Sequence, residues 1–229
     1  MKILALETAT TTGSIAILDD SDGLIGESRI NIQIAHSERL MSSVEWLLRA
    51  SRLSIHDMDA FAVSIGPGSF TGLRIGLSTV KGFCFATNKP IVPVPTLDAL
   101  AQTLPFCSHL ICPMLDARKN EVYTGLYRWG KGILEKIIPE TAASPGDFIR
   151  NIHEMTVFLG EGAQRYETVI QDALHSRAVF APDSRMSPSA ATIAEIALEK
   201  LSRNIHTDPV NLTPFYIRKS EAETRWKDS

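Results

Sequence analysis

The chain is short of the features that mark specialised proteins. Its three cysteines, Cys84, Cys107 and Cys112, are an odd set without metal-like spacing, which excludes a disulfide framework or a thiolate metal site and points to reduced thiols in the cytoplasm. Long apolar runs are missing too. The opening run Ile3–Leu6 is stopped by Glu7 and a string of threonines, and the uncharged stretch 99–115 is broken by Gln102, Pro105, His109 and Pro113. Neither a signal peptide nor a bilayer span is expected, so the chain reads as soluble, with no membrane partner. There is no basic excess: 23 Lys and Arg face 26 Asp and Glu, for a net charge of −3. A protein that grips nucleic acid unaided needs the opposite balance, because phosphates dominate that affinity. Finally, no two of the six histidines share helical metal spacing, since Leu40 stands four residues after His36, and this removes metalloprotease chemistry.

What is present describes an ordinary globular chain. Hydrophobic residues make up 44% and charged residues 21% of the 229, enough for one large domain or two small lobes. Apolar runs at 2–7 and 13–18 and a third segment at 24–32 read as strands. The period then changes to helical over 36–50, where Leu40, Met41, Val44, Leu47 and Leu48 share a face. Residues 60–65 read as a buried strand, 71–87 as a helix, 91–94 as a strand and 97–104 as a helix. The order then repeats, with strands at 109–115, 121–128 and 132–138, a helix at 145–153, a strand at 155–160 and helices at 163–174 and 189–203. Two rounds of three strands, helix, strand, helix predict a duplicated α/β fold with its boundary near residue 105: one lobe over 1–105 and a second over 106–229. The end of the tail, 225–229, reads as frayed.

Four segments carry residues suited to chemistry. Glu7-Thr8-Ala9-Thr10-Thr11-Thr12-Gly13 places a carboxylate at a strand end before hydroxyls and a glycine. Such a connection offers N–H and hydroxyl groups to a phosphate and a carboxylate to a water or hydrated cation, or it is simply a Thr-rich hairpin. Gly66-Pro67-Gly68-Ser69-Phe70-Thr71-Gly72 leads from a strand into a helix. It lacks the lysine of a phosphate-binding P-loop, so it is either an anion site at a helix start or a structural turn. His36-Ser37-Glu38-Arg39-Leu40 opens a helix with one imidazole. Asp116-Ala117-Arg118-Lys119-Asn120-Glu121 crowds charge into a turn, where Asp116 either mirrors Glu7 across a cleft or joins a local ion pair.

Two helices carry apolar residues on more than one side. In 71–87, Leu73, Leu77, Val80 and Cys84 form one stripe, and Ile75, Thr79, Gly82 and Ala86 form a second of mostly small residues, with Phe83 beside it. Small side chains let another helix approach closely. In 36–50, Trp46 lies off the core stripe near Arg39 and Arg49, a composition typical of an interface anchor.

Together, Ile3-Leu4-Ala5-Leu6-Glu7-Thr8-Ala9-Thr10, His36–Leu40, the glycine-rich block 66–76, Asp116–Tyr123 and Pro214-Phe215-Tyr216-Ile217-Arg218 resemble the bacterial TsaB (YeaZ) family over essentially the whole chain. The resemblance implies a duplicated actin-like, sugar-kinase-like (ASKHA) fold, two lobes of mixed sheet flanked by helices. It also implies a non-catalytic, scaffolding and activating role in making N6-threonylcarbamoyladenosine at position 37 of tRNAs that read ANN codons. The partners implied are a catalytic paralogue, TsaD, and a small ATPase, TsaE, that joins the TsaD–TsaB pair, with tRNA met only indirectly and a homodimer when the partner is absent. The helix pair above is then the partner interface, through Arg39, Trp46, Arg49, Ile75, Thr79, Gly82, Phe83 and Ala86. TsaD carries two metal-binding histidines in the segment matching His36–Leu40, and here the second is Leu40. The family more often has aspartate where this chain has Glu7. No tightly bound cofactor or metal is expected. ATP or ADP would bind weakly or at the partner interface, and Glu7, Thr8, Thr10, Gly13, Gly66, Gly68 and Asp116 are the residues able to meet its phosphates. The competing function is a free-standing phosphotransferase of the same superfamily acting on a small molecule.

Overall fold

A computed structural model of the chain describes residues 1–31 and 36–218, with side chains in the first helix described from Leu40 onward. The side chains of His36 and Arg39 and the tail 219–229 therefore lie outside the described residues.

The first unit is built on strands β1 (Lys2–Glu7), β2 (Thr12–Asp19), β3 (Gly23–Asn31), β4 (Ala60–Ser64) and β5 (Ile91–Val94), in the order β3-β2-β1-β4-β5. β1 pairs antiparallel with β2 and parallel with β4. Both β1 and β4 are nearly continuous apolar runs because both faces of the sheet are covered. On one face Leu4, Leu6, Ile15 and Ile17 meet Leu40, Val44 and Leu47 of α1 (His36–Ala50) and Leu77, Val80 and Cys84 of α2 (Phe70–Thr87). The alternate residues Ile3, Ala5, Ala16 and Leu18 point to the other face. Helix α3 (Thr96–Gln102) follows β5.

The second unit repeats the plan. Strands β6 (Leu110–Arg118), β7 (Glu121–Gly130), β8 (Ile133–Ala143), β9 (Thr156–Leu159) and β10 (Ala178–Phe180) are ordered β10-β9-β6-β7-β8, with β6 antiparallel to β7 and parallel to β9. Helices α4 (Pro145–Ile149), α5 (Glu161–Arg165) and α6 (Glu167–Leu174) accompany them. Strand order and pairing sense are those of the first unit, so the duplication expected from the sequence is present. Several details differ, among them β6 and β8, which run on to Arg118 and Ala143. Helix α4 stops at Ile149, the expected helix over 163–174 is interrupted at Tyr166, whose φ of −109° and ψ of 21° are not helical, and β10 was not anticipated.

The units do not divide at a single point near residue 105. The first comprises Met1–Ala99 with Ser187–Pro214, and the second Leu100–Met186 with the chain from Phe215. The cause is α7 (Ala190–Ser202), whose Ala190, Ile193, Ala194 and Ala197 pack on Ile3, Ala5, Ala16, Val92 and Val94 of the first sheet. Its start is fastened there as well: Ala190 N–H donates to Ser14 Oγ at 2.9 Å, and Ser189 Oγ donates to Glu27 at 2.6 Å.

Candidate functional site

The loop that follows β1 is wholly internal. Glu7 has no exposed surface. Its Oε1 accepts the Ala9 N–H at 2.6 Å and the Ser64 hydroxyl at 3.4 Å, and its Oε2 lies 3.0 Å from Thr10 Oγ1. Burial pushes this carboxyl up to about 7 against the pull of those donors. Thr10 Oγ1 is also 3.1 Å from the Thr12 carbonyl. One hydroxyl carries one proton, so with Glu7 protonated the acid donates to Thr10 while Thr10 donates to Thr12, and every group is satisfied.

The glycine-rich block closes over this loop. Thr8 Oγ1 donates to the Gly72 carbonyl at 2.8 Å, and Ser69 N–H donates to the Ala9 carbonyl at 2.7 Å. A Cβ on Gly72 would lie 1.9 Å from Thr8 O, one on Gly76 2.2 Å from Thr8 Oγ1, and one on Gly68 2.4 Å from Ala9 O. These glycines thus admit the chain itself. Ser69 caps α2 by accepting the Gly72 N–H at 3.2 Å, and Gly66 exchanges hydrogen bonds with Thr96 through both its N–H (3.1 Å) and its carbonyl (2.8 Å). Gly13, at the start of β2, lies opposite Ile30. The same device recurs in the second unit, where a Cβ on Gly160 would come within 2.1 Å of Met114 O and one on Gly162 within 3.0 Å. Hence Glu7, Thr8, Thr10 and Gly68 are gathered in one place. Asp116 sits in the other unit, where its Oδ1 accepts the Arg118 N–H at 2.9 Å and its Oδ2 pairs with Arg165 at 2.6 Å.

The second candidate region is the outer side of α1 and α2. Trp46 is 53% exposed and, with Ser28 and Ile30 of edge strand β3 and with Ser42 and Ser43, lines a groove of about 440 Å³. Arg49 is exposed on the same helix. On α2 the anticipated second stripe splits. Gly82 and Ala86 are exposed, and a Cβ on Gly82 would meet nothing. Ile75 and Phe83 instead pack partly on the first unit's core, with the Phe83 ring 5.6 Å from that of Phe61, and Thr79 is half-buried. The sequence reading missed Phe85, which is 65% exposed. The available signal was a large apolar residue on the Arg74–Ser78 line of the helix, which is otherwise polar.

Cys84 and Cys112 are buried free thiols that burial pushes up to about 11 and about 12. Among the described residues no three His, Cys, Asp or Glu side chains gather around a metal position, and no helix is long and apolar enough to cross a membrane.

Two five-stranded mixed sheets of identical strand order, each flanked by helices, define the duplicated actin-like class. The TsaB-named protein of Bacillus subtilis (strain 168) is 32% identical over 232 residues, covering 100% of this chain and 99% of that protein. Its counterpart in Escherichia coli (strain K12) is 28% identical over 99% of this chain and 97% of its own. The solved structure of YeaZ from Pseudomonas aeruginosa superposes with a TM-score of 0.79 at 26% identity, covering 94% of this chain and 99% of that one. Component A of the Acidaminococcus fermentans (R)-2-hydroxyglutaryl-CoA dehydratase shares only the fold, at a TM-score of 0.53 and 11% identity. The family described as TsaD, tRNA N6-adenosine threonylcarbamoyltransferase, matches residues 27–226. The chain belongs to the TsaB (YeaZ) family.

Proposed function

We propose that this protein is the non-catalytic subunit of the assembly that places the threonylcarbamoyl group on N6 of adenosine 37 in tRNAs reading ANN codons. Its relatives in Bacillus subtilis, Haemophilus influenzae and Escherichia coli are named for tRNA threonylcarbamoyladenosine biosynthesis. It acts in the cytoplasm by binding the catalytic paralogue TsaD through α1 and α2, and TsaE joins the pair so formed. Alone, it pairs with a second copy through the same helices, and tRNA reaches it through TsaD.

The observation that carries this reading is the exposure of Trp46 on α1 and of Phe85 on α2, two large rings on helices that contact each other. The non-catalytic half of the reading is supported by the two strand-end acids. Glu7 spends its oxygens on its own loop and Asp116 spends its on Arg165 and a backbone N–H, so neither is spare to organise a metal-bound phosphate. ATP or ADP then binds weakly, or only where the partner completes a site.

The experiment is genetic. In cells depleted of this protein, threonylcarbamoyladenosine in bulk tRNA falls, and the native chain restores it. Trp46→Ala combined with Phe85→Ala restores less, although the variant accumulates and folds. Full restoration by that variant would place the partner surface elsewhere, and unchanged modification after depletion would remove the protein from the pathway.

A further inference from the structure

Of the edges of the two sheets, three are blunted and one is open. On β5 the Ile91 carbonyl accepts the Thr207 N–H at 3.0 Å, the Pro93 carbonyl accepts Lys200 Nζ at 2.8 Å, and Pro93 has no N–H to offer. β8 is irregular against β7, with register shifts at Thr124/Leu126 and Leu126/Tyr127, and carries Lys136 and Pro139. β10 is only three residues long. Bulges, lysine, proline, shortness and a covering segment are the means by which sheets avoid edge-to-edge association. β3 ends the first sheet with none of these over Glu27–Asn31, which pair with Thr12–Ala16 in unbroken register. Among the described residues no backbone group meets the outer side of that stretch.

The groove lined by Trp46 lies beside this edge. Alternate β3 residues face opposite ways. Glu27 accepts the Ser189 hydroxyl at 2.6 Å and Arg29 donates to the Ser187 carbonyl at 2.9 Å, whereas a Cβ on Gly26 would meet Leu47 of α1 at 3.0 Å. Ser28 and Ile30 therefore turn toward α1, where they line the groove of about 440 Å³ with Ser42, Ser43 and Trp46. Its volume is that of a small ligand pocket, and its walls offer one ring, one aliphatic chain and hydroxyls. The unused N–H and carbonyl groups of an edge strand are matched by the backbone of another extended segment, whose alternate side chains then fall on the groove side. On β5 the chain itself meets the same need, through the backbone bridge from Thr207 to Ile91.

We infer that the outer edge of β3 over Glu27–Asn31 is a strand-addition site, where an extended segment of the catalytic paralogue pairs with this chain and sets an apolar side chain against Trp46 and Ile30. The inference rests on the proposed binding of TsaD through α1 and deepens it. Trp46 belongs both to the exposed side of α1 and to the groove, so the added strand continues the contact that the helix begins. Main-chain hydrogen bonds supply affinity, and the groove selects segments with an apolar residue at the position that meets the ring.

The test is amide hydrogen exchange, read residue by residue on the full chain alone and on the chain saturated with purified TsaD. Successive N–H groups of a strand point to opposite sides, so added pairing protects every second one. The expected result is that alternate amides between Glu27 and Asn31, fast in the chain alone, slow at least about tenfold in the complex. Ile30→Lys places a charge in the groove at an exposed position and should bind TsaD at least about tenfold more weakly with the fold retained. TsaD binding that leaves these amides unchanged, or equal affinity for Ile30→Lys, would overturn the inference while leaving the role in modification intact. Protection that grows with the concentration of the chain alone, and not with TsaD, would assign the added strand to a second copy and overturn it as well. A native chain that binds no TsaD would overturn the reading on which the inference rests.

Discussion

The carbonyl oxygen of Thr8 lies 1.9 Å from the place where a side chain at Gly72 would begin. These residues come from the loop just after β1 and from the first turn of α2, 64 positions apart, and the Thr8 hydroxyl donates to the Gly72 carbonyl at 2.8 Å. The obstacle is backbone, which cannot step aside as a flexible side chain could. Gly72→Ala should therefore destabilise the protein by about 3 kcal/mol, the upper range for overpacking. Gly82→Ala, on the exposed side of the same helix where a Cβ meets nothing, should instead stabilise it by about 1 kcal/mol. Urea denaturation of the two variants checks both signs.

Glu7 makes stability fall as pH rises. Its folded pKa, about 7, lies above the ordinary 4.5, so the folded state holds a proton that the unfolded chain has released. The stabilisation is complete below about 4.5, declines between there and 7, and is gone above. Glu7→Gln keeps the neutral form at every pH, with its amide N–H donating to Thr10 as the acid proton does. The variant should be more stable than the native protein by about 3 kcal/mol at pH 8, with the difference vanishing near pH 4. Parallel profiles for the two proteins would show that Glu7 is ionised in the fold.

Asp19 acts in the opposite sense. The Ser21 hydroxyl at 2.5 Å and the Ser21 N–H at 2.9 Å, with the Lys2 ammonium at 3.0 Å, hold its carboxyl well below the usual carboxylate range. Its contribution is present above the ordinary pKa of 3.8 and is lost as pH falls through that region and below. Asp19→Asn should melt earlier than the native chain at pH 7 and converge with it in acid. Thermal scans at the two pH values decide the point.

Much of the architecture is legible in the chain. β1 and β4 show as unbroken apolar runs because both of their faces are buried, and α1 and α2 show as stripes because one face is. The three residues of β10 are too few to display any period, and they form a strand only because β9 lies alongside. The placement of α7 is not legible for a different reason: an alanine-rich helix face fits either sheet, and the choice is fixed by contacts far apart in sequence, among them the hydrogen bonds of Ser14 and Glu27 to its first turn and of Lys200 to the Pro93 carbonyl. The glycine block illustrates the limit for a site. Composition shows that side chains are absent at 68, 72 and 76, but a phosphate and a neighbouring backbone exploit that absence equally. The pairing of β1 with β4 delivers Thr8 and Ala9 into the space.

On the proposed partner surface, Trp46→Ala and Phe85→Ala each remove an exposed ring and should leave thermal unfolding of the isolated protein unchanged. Truncating a tryptophan anchor typically costs about 2 kcal/mol or more in binding. Ala86→Arg places a long cation on the same exposed side of α2 and should obstruct a closely packed helix with equally little effect on the fold. Size-exclusion chromatography of the chain alone reports whether self-association weakens alongside.

The measurement that bears most directly on the central claim is calorimetric titration of purified TsaD into the native chain and into Trp46→Ala. The account predicts saturable binding by the native protein and binding at least about thirtyfold weaker by the variant, with both melting at the same temperature. Equal affinity for the two, or no binding by the native chain, would contradict it.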